Sequence, residues 1–199
     1  MKKVLYFFLA IFVLFVLFLG YVFFRYSSWE KDFVMNENII CTSDEEVVSV
    51  LSDMNILEKI KNFVLSDIFS EFVTFTKKEM LFLLKDSLSA VSGGNIQDIC
   101  LESGSGVWKI YIHSRIEFLQ LPWLAFDIHK DSRETAELYS RNLYVGDFKV
   151  PEIFSKGVLE KINKGISDAL LLVVENGFLG KTIKNIDLLK DSVVLKGGF

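Results

Sequence analysis

The sequence predicts an α+β domain behind one N-terminal transmembrane helix, on three observations. Residues 4–24 carry no charged side chain. Apolar residues between 47 and 91 recur at helical spacing, whereas those between 108 and 150 mostly alternate. Another long helical pattern follows Pro151. Helices and strands come in runs rather than in alternation, which favours α+β over α/β.

The N-terminal stretch, VLYFFLAIFVLFVLFLGYVFF, would rise about 31 Å as a helix, enough to cross a hydrocarbon core of about 30 Å. A cleaved signal peptide needs a shorter apolar run and small residues before the cut. This run ends in Phe23-Phe24-Arg25-Tyr26, so an uncleaved signal anchor over residues 1–25 is the favoured reading and cleavage near Ser27–Ser28 the weaker one. Cys41 follows Ile39-Ile40, which does not suit a lipoprotein. A pilin-like segment would carry Glu shortly after a Gly processing site, and none occurs. Lys2 and Lys3 precede the apolar run and Arg25 follows it. The positive-inside rule then keeps the N-terminus in the cytoplasm and places the remainder outside.

The chain carries −4, of which Lys2, Lys3 and Arg25 supply +3, leaving −7 on residues 26–199. Nucleic-acid binding needs clustered Lys and Arg, so an acidic domain of this kind is a poor candidate for it. Cys41 and Cys100 would form one disulfide outside the cytoplasm if their backbones approached closely enough. Two separate, mostly buried thiols are the favoured expectation.

Residues 26–43 show no firm periodicity and read as a tether, leaving 44–199 as the folded domain. Ser43 with Glu46 resembles a capping box, and Val47, Val50, Leu51, Met54, Leu57, Ile60 and Phe63 form one apolar stripe. Residues 70–75 suit a brief strand. Thr76 can cap a second helix with Glu79 at the box position, carrying Met80, Leu81, Leu83, Leu84, Leu88 and Val91 to Gly93-Gly94. From residue 95 the period becomes two. Trp108, Ile110, Ile112, Ile116 and Phe118 alternate with polar residues after a Ser103–Gly106 turn, and Leu124, Phe126 and Ile128 resume the pattern after Pro122. A turn at 130–134 leads to a strand over 135–150 whose phase slips near Ser140–Leu143, which predicts a bulge or a bend. Pro151 opens the long helix, with Phe154, Val158, Ile162, Ile166, Ala169, Leu170 and Val173 on one face and a stop at Asn176-Gly177. A hairpin around Lys190-Asp191 closes the chain. Long strands plus one long amphipathic helix suggest a curved antiparallel sheet wrapped around that helix.

Motifs for chemistry are weak. Gly177-Phe178-Leu179-Gly180-Lys181-Thr182 ends like a phosphate loop, but only two residues separate the glycines where four are required. The segment also follows a helix, so it reads as a helix stop and turn. Ser103–Gly106 lacks dinucleotide-loop spacing. Asp44-Glu45-Glu46 sits at a helix start, where the dipole accounts for it. The two histidines, His113 and His129, fall on outward faces. His129 shares its face with Asp127, but a metal site with His113 would demand a particular register. No Gly-x-Ser-x-Gly elbow supports Ser-His-Asp hydrolysis. The expectation is a non-enzymatic protein with no metal or cofactor.

The apolar inventory admits two readings: an ordinary solid core, or a cleft between sheet and helix that takes acyl chains. Residues 143–154 (LYVGDFKVPEIF), the following helix, and Lys184-Asn185-Ile186-Asp187-Leu188 resemble the C-terminal half of bacterial YpmS-like proteins. Gly146, Phe148, Val150 and Pro151 occupy that family's Gly-x-Phe-x-(Val/Leu)-Pro pattern, and Thr76-Lys77-Lys78-Glu79-Met80 resembles its earlier helix start. The resemblance spans roughly residues 70–197. It implies a signal anchor and an extracytoplasmic domain like the tubular lipid-binding (TULIP) superfamily, with a lipid-accessible groove, and its motifs fix no catalytic residues. The strand and helix phases then nominate Trp108, Ile110, Ile112, Leu124, Phe126 and Ile128 from the sheet, and Ile162, Ile166, Leu170 and Val173 from the helix, as ligand-facing residues. The expected function is binding or shielding a membrane lipid or lipid-linked molecule. The alternative is a filled scaffold that recruits another envelope protein.

Overall fold

Residues 2–42, 56–65, 70–92, 96–104, 106–116, 119–130, 136–175 and 182–198 are described by the computed structural model. Two compact units result, Met1–Glu37 and Asn38–Phe199.

The first unit is one helix, α1 (Lys2–Val34), long and apolar enough over Tyr6–Val34 to cross a membrane. Its large apolar side chains from Tyr6 to Phe24, apart from the half-buried Val22, are exposed, the pattern of a helix made for an apolar surround. The helix does not stop at residue 25. The stretch expected to begin a tether continues helically to Val34, because extending a formed helix avoids the nucleation penalty. An aromatic row also reinforces this part: Trp29 lies 5.7 Å from the Tyr26 ring and stacks on Phe33 at 5.0 Å. These rings stand three and four residues apart, as neighbours on a helix surface must.

The second unit contains β1 (Ile39–Thr42), α2 (Ile56–Leu65), β2 (Ser70–Thr76), α3 (Lys77–Ser92), β3 (Ile96–Ser103), β4 (Val107–Ile116), β5 (Leu119–Gln120), β6 (Leu124–Lys130), β7 (Leu138–Val145), β8 (Phe148–Lys149), α4 (Glu152–Glu175), β9 (Thr182–Leu188) and β10 (Ser192–Gly198). The fold class is α+β, with every strand pair antiparallel. Strands β1-β3-β4-β6-β7-β8 form the large sheet, with β5 paired to β4, and β2-β10-β9 form a separate small one.

The start of α3 follows its sequence signature. The Thr76 N–H donates to Glu79 Oε2 at 2.7 Å, and the Glu79 N–H donates to Thr76 Oγ1 at 3.3 Å. Lys59 on α2 adds a 2.7 Å ion pair to the same carboxylate. The turn between β3 and β4 is closed by the Gly104 N–H donating to the Val107 carbonyl, with Gly106 at φ +81°. The bulge lies where the phase slips: Phe126 faces Leu143 but Ile128 faces Ser140, so Arg141 and Asn142 together oppose Asp127. The single strand expected over 135–150 is instead a hairpin turning at Gly146, φ +61°. Gly-Asp between two β-rich runs is a hairpin signal in its own right.

Two expectations are overturned. Cys41 and Cys100 do not remain separate thiols; they are bonded, with Cα atoms 4.0 Å apart. The reason is register, since β1 pairs with β3 so that Cys41 stands directly opposite Cys100. The bridge spans 59 positions, and in the chain-entropy view such a loop contributes about 4 kcal/mol by restricting the unfolded chain. On α4, Phe154 and Val158 do not join the buried face. Phe154 is 75 % and Val158 39 % exposed, while Ser155, Leu159, Ile162, Gly165 and Ile166 are buried. The helix packs from its first turn through Ser155 and Leu159, so the buried face is offset from the row that Phe154 and Val158 begin.

The inner face of the large sheet, α3, α4 and the small sheet share one core. Helix α4 packs on α3 and β7. A Cβ added at Gly165 would stand 2.8 Å from Leu88 Cδ2, so glycine is what lets α3 and α4 approach this closely. The Trp108 indole N–H donates to the Leu189 carbonyl at 2.8 Å, fastening the large sheet to the small one. Lys130 also reaches across to Asn185 and Asp187. The Asp187 carboxyl is held below its usual range, chiefly by its hydrogen bond to Lys196; burial opposes this, and the hydrogen bond to Lys130 adds to the lowering.

The Ser43 cap, the acidic run 44–46, the stripe from Val47 to Met54, Gly93-Gly94, Phe118, the turn at 131–134, Asn176-Gly177 and the phosphate-loop-like Gly177–Lys181 lie outside the described residues.

Candidate functional site

The sheet presents Trp108, Ile110, Ile112, Phe126 and Ile128 inward because residues two apart share a face. Opposite them α4 presents Ile162, Ile166 and Leu170, about one turn apart. Eight of the ten nominated residues line this space, and at its two ends they meet differently.

At one end Trp108, Ile128, Ile166 and Leu170 pack with Phe75, Met80, Leu188 and Leu195 around a void of only about 10 Å³. A water needs about 10–15 Å³ on this measure, so this end is filled. At the other end Ile112, Leu124, Phe126 and Ile162 line an open groove of about 210 Å³, completed by Leu88, Ile96 and Val158 with Ser114 and Lys161 as its polar members. Ile110 is fully buried and lines neither space. The side chain of Val173 lies outside the described residues.

Leu88 and Val158 were legible as apolar positions of their helices but not as groove walls. Which helix faces which end of the sheet is a tertiary fact. Ser114 and Lys161 had no distinguishing signal at all.

The outer face of the large sheet is polar and internally satisfied. The Tyr111 hydroxyl donates to Glu102 at 2.6 Å and the Tyr144 hydroxyl to Asp127 at 3.0 Å. The Lys109 ammonium lies 5.3 Å and 4.7 Å from the centroids of those two tyrosine rings, within cation–π range. Burial and then the neighbouring carboxylate push both phenols above their ordinary value, so they remain protonated donors. His113 stacks on Trp123 at 4.8 Å with Nδ1 3.2 Å from Asp98, and His129 stacks on Tyr139. His129 pairs opposite Val107, six positions from His113 along β4, or about 20 Å. That register keeps the two histidines from sharing a metal ion. Among the described residues no group of three or more His, Cys, Asp or Glu side chains is placed to hold one.

Comparison with known proteins finds no match, whether among family models, curated proteins or solved structures.

Proposed function

We propose that the chain is a single-pass, signal-anchored protein whose extracytoplasmic domain binds or shields an acyl chain of a membrane lipid or lipid-linked molecule, without catalysis. The observation that carries this reading is the open groove of about 210 Å³ lined by Ile112, Leu124, Phe126, Ile162, Leu88, Ile96 and Val158. An engineered apolar cavity of about 150 Å³ already binds benzene, so this volume is ample for a segment of acyl chain.

Three further points support it. Lys2 and Lys3 before α1 favour a cytoplasmic N-terminus. The Cys41–Cys100 bond suits an oxidising compartment. The resemblance of residues 143–154 and 184–188 to YpmS-like proteins implies a TULIP-like curved sheet cradling an amphipathic α4. Anchoring also raises the local lipid concentration, so weak affinity suffices.

A lysophospholipid with a diazirine in its acyl chain, added to the full chain in nanodiscs, tests this. Photoadducts should map to peptides holding Ile112–Phe126 and Val158–Ile162, beyond any on α1, and Val158→Trp should remove them by filling the groove. Adducts confined to α1 in both proteins would leave the second reading. In that reading the domain is a scaffold that recruits another envelope protein, which the filled end around Trp108 favours.

A further inference from the structure

A groove of about 210 Å³ falls below the roughly 300–1,000 Å³ of pockets that enclose a whole drug-sized ligand. A lipid entering it would place part of one chain inside and leave its remainder in the bilayer. The mouth must then lie against that bilayer. Continuous with the mouth, α4 carries a row at i, i+4 and i+8 whose exposure falls from 75 % at Phe154 through 39 % at Val158 to 7 % at Ile162. Beside Phe154, Ile153 is 83 % exposed. Val158 and Ile162 are groove walls, so one continuous apolar strip leads from solvent into the cavity.

We propose that Ile153 and Phe154 form a membrane-insertion tip that seats the mouth of the groove on a phospholipid bilayer, with Lys161 at the level of the headgroup phosphates. At about 100° per residue, Ile153, Gly157, Lys161, Lys164, Phe154 and Val158 occupy one arc of roughly 140°, together with Asp168, which lies 3.7 Å from the Lys164 ammonium and leaves Lys161 as the cation nearer the tip. Glu152 lies on another side of the helix, and Glu160 borders the arc. Lys161 lines the groove itself, where a long alkyl stem can lie along apolar surface while its ammonium meets phosphate. The tip is held firmly. The Val150 N–H donates to the Leu143 carbonyl at 2.8 Å, the Phe154 N–H donates to the Pro151 carbonyl at 2.9 Å, and Ser155 is buried with its hydroxyl on the Glu152 carbonyl at 3.3 Å. Adjacent exposed apolar side chains that lead into an apolar groove mark an interaction surface. The choice of bilayer as occupant rests on the lipid-groove reading.

The test uses the full chain in nanodiscs of phosphatidylcholine and phosphatidylglycerol with and without acyl-chain bromination. The tryptophan added by Phe154→Trp should emit at shorter wavelength and lose its emission to the brominated lipids, by difference from wild type. Phe72→Trp, at a 69 % exposed site on the small sheet, should not. In Ile153→Ser/Phe154→Ser, groove photoadducts of the diazirine lipid should fall several-fold with the circular dichroism unchanged. An unquenched tryptophan at 154, or equal quenching at 72, overturns the tip while groove adducts in wild type preserve the lipid reading. Shielding of 154 from water without lipid quenching means a protein covers it, and also overturns the tip. Quenching at 154 with no groove adducts keeps the tip and removes the lipid reading.

Discussion

The two ends of the space between the large sheet and α4 have the same kind of walls and opposite outcomes. Around Trp108 the sheet and helix are met by Phe75, Leu188 and Leu195 of the small sheet and by Met80, leaving about 10 Å³. Around Ile112 and Phe126, where Ile96 and Val158 are further walls from the sheet and α4 themselves, only Leu88 of α3 meets them among the described residues, and about 210 Å³ stays open. No small-sheet residue lines that end among the described residues. Apolar composition alone therefore does not decide between core and cleft; the reach of a further layer of chain does.

Breaking the filled end should be the most damaging change. Trp108→Ala removes a fully buried indole and strands the Leu189 carbonyl that it holds, and such truncations cost about 3–5 kcal/mol. Urea unfolding of the detergent-solubilised chain measures it. Val158→Ala at the open rim, already 39 % exposed, should cost less than about 1 kcal/mol by loss of part of one side chain's burial. Equal costs at the two sites would erase the distinction between the ends.

At the boundary between the ends, Gly165→Ala sharpens the comparison. Its new methyl would stand 2.8 Å from Leu88 Cδ2 and 3.4 Å from Leu88 Cα, so Leu88, a groove wall, must yield. Overpacking of this kind costs about 1–3 kcal/mol. The displaced side chain should narrow the groove and lower its photoadducts. Unchanged stability together with unchanged adducts would mean that α3 and α4 part easily and the groove has no fixed width.

Much of this frame was legible because its signals are local. Thr76 and Glu79 carry a cap in four residues, the slip at Ser140–Leu143 announces a bulge, and Pro151 opens α4. The disulfide was not legible, since Ile39–Thr42 shows no pattern of its own and becomes a strand only against β3. The pairing of Ser192–Gly198 with Ser70–Thr76 is equally non-local, and it decides which end of the cleft is filled. Of the ten nominated residues, Ile112, Leu124, Phe126 and Ile162 line the groove, while Trp108, Ile128, Ile166 and Leu170 belong to the packed end. Strand phase gives the face of a residue but not its position relative to a distant third layer.

The smallest expected effect concerns the opposite face of the same strand, where Tyr111 alternates with the groove-lining Ile112. Burial first, and then its hydrogen bond to Glu102, raises the Tyr111 phenol above its ordinary value of about 10. A raised value in the folded state means that the unfolded chain ionises first. Stability from this group is therefore fully present below about pH 10 and declines as pH rises past it. The slope is at most about 1.4 kcal/mol per pH unit for one group. Tyr111→Phe should flatten the fall in urea midpoint between pH 8 and pH 11 while leaving groove photoadducts unchanged, because the phenol and the groove lie on opposite faces. Parallel pH profiles in the two proteins would show that the outer face does not hold this phenol neutral. Lost adducts would show that the two faces of β4 are not independent.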